Sequence, residues 1–179
     1  FGTVGDGTTN DTAAIQMALD LAPVVNCNRD DAYALDPLFI RKSNTKFYAN
    51  GCSLVSLSNP GVTSFALINV LSSSSPDLYS RPFSWIRLNE IVIDGFNIDY
   101  DDSPNKSTTN FNVIQVNESD NVTVSNNNIS NNFISTVDTS RGSGIVFRGY
   151  CNNCKAENNK IENIRFHGIG HVNKYTVGT

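Results

Sequence analysis

Four carboxylates, Asp94, Asp99, Asp138 and Glu162, stand out in the Asn-rich stretch between residues 91 and 165. Two carboxyl groups about 6.5–9.5 Å apart suit inverting hydrolysis of a glycosidic bond: one protonates the leaving oxygen while the other activates water. Asp94 and Asp99 lie on one strand-and-corner unit, and Asp138 and Glu162 lie near the turns that lead into segments starting at Ile145 and Ile169. The same four residues serve equally as a solvated outer face. Asp101-Asp102 is a further acidic pair, set in a polar loop where carboxylates are normally just hydrated. Among the bases, Arg141 and Arg165 fall at one repeat offset, Arg148 takes an outward position after Ile145, and His167 and His171 follow. A guanidinium row can hold carboxylate-bearing ligands by bidentate bonds, or form surface bridges with Asp138 and Glu162. Trp85, with Phe83 and Tyr79, offers a flat platform for a sugar ring or a capping cluster. The binding candidates are therefore Arg141, Arg148, Arg165, His167, His171 and Trp85.

Cys151-Asn-Asn-Cys154 has the spacing of a zinc or redox pair, but no second such pair completes a four-ligand set. Buried or incidental thiols are the alternative, and a Cys27–Cys52 disulfide stays open. No metal and no cofactor are expected. Asn10, Asn105, Asn117, Asn121 and Asn128 head Asn-x-Ser/Thr sequons, about as many as so much Asn, Ser and Thr would give by chance.

The elements that must position these groups change along the chain. Ile15, Ala18, Leu19 and Ala22 recur at i, i+3, i+4 and i+7, which predicts a helix of about three turns, capped by Asn10 or Asp11 and stopped by Pro23. Beyond it the period drops to two: Phe47, Ala66 and Ile68, Ile91 and Ile93, Val122 and Val124, Ile145 and Phe147, each burst bounded by Asn, Gly, Ser or Asp. The bursts also repeat without gaps. Ile91/Val122/Cys154, Ile93/Val124/Ala156 and Ile98/Ile129/Ile161 form apolar columns, with a polar column Gly95/Asn126/Asn158 between them. A second register sets Ile114, Ile145 and Ile169 in line. Offsets of 24 to 32 residues without intervening helices predict coils of parallel strands, about 4.8 Å apart, each inward residue resting on a like neighbour. Asn or Gly in the polar column supplies the left-handed residue that a sharp corner needs.

The 179 residues carry a net charge of −4 and 39% hydrophobic side chains, enough for one folded domain that buries about 70% of its unfolded surface. An acidic chain without a basic stripe argues against nucleic acid, and no apolar run reaches the length of a membrane span.

The opening Phe1-Gly2, Gly5-Asp6-Gly7, Asp11-Thr12 and Ala14-Ile15-Gln16 resembles the start of the pectate-lyase-like superfamily of right-handed parallel β-helix proteins. Residues 38–51 resemble that family's first coil, and the repeats from 91 to 165 its generic coils. Val24 to Pro37 departs from it, lacking the usual Gly-rich strand segment. The resemblance implies an all-β, right-handed, single-stranded parallel β-helix of roughly half a dozen coils: residues 1–23 form an N-terminal turn and capping helix, and 24–179 form the coils, continued by further sequence or another chain. The Asn-Thr-Asp, Asp-Asp and Gly-His-Gly motifs of the polygalacturonase branch are not intact, and Gly168-Ile-Gly-His171 only approaches the last. The implied role is carbohydrate recognition by a bacteriophage tailspike or tail appendage, extracellular or on the virion. Its partners would be a polysaccharide and a homotrimer or other virion chains, with no nucleic acid and no membrane insertion. A secreted hydrolase or lyase acting on an acidic polysaccharide, and a structural β-helix without a sugar site, are the alternatives.

Overall fold

The computed structural model describes residues 2–57, 66–71, 87–99, 112–131, 142–164 and 166–172. Strand β1 (Asp6–Asn10) and helix α1 (Thr12–Leu21) come first. Five coils follow: β2 (Val24–Asn26), β3 (Ala32–Leu35) and β4 (Leu38–Ile40); β5 (Lys46–Tyr48), β6 (Ser53–Ser56) and β7 (Ala66–Val70); β8 (Asn89–Asp94), β9 (Asn97–Asp99) and β10 (Asn112–Asn117); β11 (Asp120–Ser125), β12 (Asn128–Ser130) and β13 (Ile145–Arg148); β14 (Lys155–Glu157), β15 (Lys160–Glu162) and β16 (Ile169–Val172). Each coil gives one strand to each of three sheets. Sheet I stacks β2-β5-β8-β11-β14, sheet II β1-β3-β6-β9-β12-β15, and sheet III β4-β7-β10-β13-β16. Every paired strand runs parallel to its neighbour.

The alternation of apolar and polar residues dictates this arrangement, because a one-residue slip would turn the whole apolar set outward. Val122 pairs with Ile91 and Val124 with Ile93, Ile129 sits between Ile98 and Ile161, and Ile145 sits between Ile114 and Ile169, as the repeat alignment requires. These columns point into one core with Phe47, Phe96, Leu54, Ile68 and Val116, all essentially without solvent contact. Phe47 and Phe96 pack tilted, ring centroids 4.5 Å apart. Gly95, Asn126 and Asn158 all take positive φ, at 84°, 56° and 56°, so the polar column is the corner between sheets I and II.

The helix buries Ile15, Ala18 and Leu19. Gln16 turns back over the first strand of sheet III: its amide nitrogen donates to the Phe39 carbonyl at 2.9 Å, and its oxygen accepts from the Phe39 amide at 2.8 Å. One side chain thus serves both backbone groups that an edge strand would leave open.

Of the two cap candidates, Asn10 holds the helix start, its oxygen accepting from the Thr12 amide at 3.0 Å, while Asp11 stands at the N-cap position without a side-chain cap bond. The Asp11 carboxylate is buried and folds backwards to accept from the amides of Val4 and Gly5, at 2.7 and 3.0 Å, because the glycine-rich turn presents amides with no other partner. Residues 1–23 are also more than turn and helix, since β1 pairs with β3 and extends sheet II.

Candidate functional site

On the outer face of sheet II, two columns lie side by side, polar at every position but one. Ser53, Asn97, Asn128 and Lys160 stack in register in one, and Val55, Asp99, Ser130 and Glu162 occupy the other. Their placement follows from the core: Leu54, Ile98, Ile129 and Ile161 face inward, so the residue on either side of each must face out. A shallow cavity of about 90 Å³ runs along this face, lined by Ser53, Val55, Asn97, Asp99, Asn128 and Ser130. Hydroxyls, carboxamides and one carboxylate offer both donors and acceptors there, spaced by the strand separation of about 4.8 Å.

Of the four candidate carboxylates, the structure brings two together. Asp99 and Glu162 share a column with Ser130 between them, which sets their backbones about 9.6 Å apart, two strand steps. Asp99 accepts from the Asn131 side-chain Nδ2 at 2.9 Å, and Glu162 lies 2.9 Å from the Lys160 ammonium. Asp94 does not join them. It ends β8 on sheet I, around the Gly95 corner, and is tied to Ser125 Oγ and Asn126 Nδ2, both at 2.6 Å. Asp138 lies outside the described residues.

The binding candidates divide similarly. Arg141, Arg165 and Trp85 lie outside the described residues, with Asp101, Asp102, Phe83 and Tyr79. Arg148 ends β13 on sheet III, half-buried, away from the two carboxylates. His171 stacks beneath Phe147 and Val116, in a column that points inward in earlier coils, and its Nε2 lies 3.2 Å from the Gly149 carbonyl. The His167 ring packs edge-on against Phe166, centroids 3.8 Å apart. Neither histidine comes to the sheet II face.

Sequence reasoning missed Ser53, Asn97, Asn128, Ser130 and Lys160. The signal was present, since each flanks a member of the Ile98/Ile129/Ile161 column or its Leu54 predecessor. Nothing in residue type alone separates a ligand-facing Asn from a solvated one. The sequon at Asn117 is closed by burial, its side chain holding the Val70 carbonyl at 3.2 Å. Among the described residues no His, Cys, Asp and Glu cluster could hold a metal ion, and no helix is long and apolar enough to cross a membrane.

No protein-family model matches the chain, and no curated protein does. Among solved structures, a candidate glycosyl hydrolase from Parabacteroides merdae aligns over 96% of this chain and 92% of its own, at 15% identity and a TM-score of 0.43.

Proposed function

We propose that this chain is a carbohydrate-recognising, right-handed parallel β-helix of the pectate-lyase-like kind, and that it holds a polysaccharide along the outer face of sheet II. One observation carries the reading: Ser53, Asn97 and Asn128 stand in register beside Asp99 and Ser130 along a shallow groove. A row of fixed carboxamides and hydroxyls suits sugar hydroxyls, which both donate and accept. The setting we infer is a tailspike or tail appendage, outside the cell or on a virion, working as a homotrimer or with other virion chains.

The test is binding of oligosaccharides, first by glycan array and then by calorimetry on the ligands found. Each lost hydrogen bond is worth about 0.5–1.5 kcal/mol, so Asn97→Ala and Asn128→Ala should each weaken binding by about 2- to 12-fold. A silent array, or a double variant that binds at full strength, sinks the sheet II reading. A monomer by light scattering would count against the trimer alone.

A second reading, glycoside hydrolysis, rests on Asp99 and Glu162 sharing one outward column. If these are acid and base, Asp99→Asn and Glu162→Gln each lower reducing-end release by about 100-fold or more. Unchanged release in both variants removes the pair from catalysis.

A further inference from the structure

We propose that Cys151 and Cys154 form a dithiol site that exchanges with low-molecular-weight disulfides in the folded protein and closes an intrachain disulfide across the corner between β13 and β14. The inference is independent of the carbohydrate reading. Three features place the two sulfurs together. Asn152 bridges to Asp120, and Lys155 pairs with Thr123, so Cys151 falls over Ser119 and Cys154 over Val122, in the inward column that begins at Ile91. Asn153 takes a φ of 52°, the left-handed bend that turns residues three apart towards one another. Cys154 Sγ lies 3.3 Å from the carbonyl of Ser119, the residue over which Cys151 stacks, and Cys151 Sγ lies 3.7 Å from the Arg148 carbonyl.

The surroundings give the two sulfurs different parts. The Cys154 thiol donating to it pulls Cys151 down to about 6, helped by the Ser119 backbone, His171 and Arg87 and opposed by burial. The same bond, with burial and Asp120, pushes Cys154 up. Glu118 and Asp120 sit beside Arg87 and temper its field. Cys151 is therefore the thiolate and Cys154 the reserve thiol, and both are partly exposed.

With oxidised glutathione as the oxidant, the Cys151 thiolate attacks one sulfur and forms a mixed disulfide as the first glutathione thiolate leaves. Cys154 gives its proton to solvent, its sulfur attacks Cys151, and the second glutathione thiolate leaves. The protein dithiol is oxidised by two electrons, and one glutathione disulfide is reduced to two glutathione thiols. Cys27 and Cys52 make an internal control. They are 7% and 0% exposed, out of reach of a dissolved disulfide.

The native protein is equilibrated in glutathione buffers of graded oxidised-to-reduced ratio, trapped with N-ethylmaleimide, and mapped by mass spectrometry, with circular dichroism reporting the fold. The expected result is a Cys151–Cys154 peptide that loses two hydrogens in proportion to the ratio, while Cys27 and Cys52 do not respond. Cys154→Ser should retain one glutathione on Cys151. Cys154→Ala, which removes the donor as serine would not, should move the Cys151 inflection up towards an ordinary thiol near 8.5 and slow its alkylation at neutral pH by only about twofold, because the more basic thiolate is also the better nucleophile. Cys151→Ser should take up glutathione far more slowly. The proposal fails if the pair stays reduced in fully oxidised buffer while the fold is intact, or closes only in urea.

Discussion

A corner of this fold depends on what an asparagine side chain permits its own backbone to do. Asn126 sits at φ 56°, where a Cβ costs roughly 1–2 kcal/mol unless the residue tolerates the left-handed region, as Asn and Gly do. It also donates to Asp94 on the coil before, 32 residues back. The two roles separate by substitution. Asn126→Ala is expected to lose about 1–2 kcal/mol in urea denaturation, because both the conformational tolerance and the bond go. Asn126→Gly should lose less, since glycine keeps the conformation and only the bond is gone. Equal losses in the two variants would show that the backbone angle matters little. The same logic runs up a neighbouring corner, where Asn121 donates to Asn89 at 2.7 Å and Asn153 to Asn121 at 3.1 Å, each 32 residues on. Asn127 and Asn159 form an inner version, their amides joined at 2.9 Å, with Asn127 also accepting from the Phe96 amide at 3.0 Å.

Among the elements, the helix has the narrowest task. Its apolar face supplies Leu19 to the core, and Gln16 supplies the first strand of sheet III with the partner it lacks. Gln16→Leu keeps the helix and removes both bonds, so amide exchange at Phe39 should speed up well before global unfolding; unchanged protection there would mean that the edge is covered by something else. Leu19→Ala should cost about 2–5 kcal/mol as a buried cavity. The helix and the strand bursts were legible in the sequence because both rest on the spacing of apolar residues, which burial enforces. The alignment of Ile91, Val122 and Cys154 carried the register as well, since stacked coils need like residues above and below. The backward-folded Asp11 was not legible: whether a carboxylate caps its own helix or serves the preceding turn depends on which amides come within reach, and spacing does not encode that. The candidate site was half legible. Asp99 and Glu162 were found as types, but Asp94 was grouped with them because a linear reading does not say which side of a corner a residue faces.

At the scale of the molecule, Arg87 joins three successive coils. Its guanidinium pairs with Asp120, the Nε contact being 2.8 Å, and reaches the Tyr150 carbonyl at 2.6 Å, while Asp120 also accepts from the Asn152 amide at 3.3 Å. The Arg87 hydrogen bonds hold the Asp120 carboxyl below its ordinary 3.8. A depressed folded value means that this stabilisation is present above about 3.8 and disappears as pH falls through the folded value. Thermal denaturation should therefore show Arg87→Ala less stable than the parent at pH 7, by roughly 1 kcal/mol at a site this exposed, with the gap closing in strong acid. A gap that persists at the lowest pH would point to lost packing instead. The parallel columns on sheet II have a final consequence, in counting. A polymer of repeating units laid along a face that presents a carboxamide at two successive strand steps, Asn97 and Asn128, has two registers of similar energy there. Longer oligomers should then bind with a statistical advantage, sliding between registers without letting go.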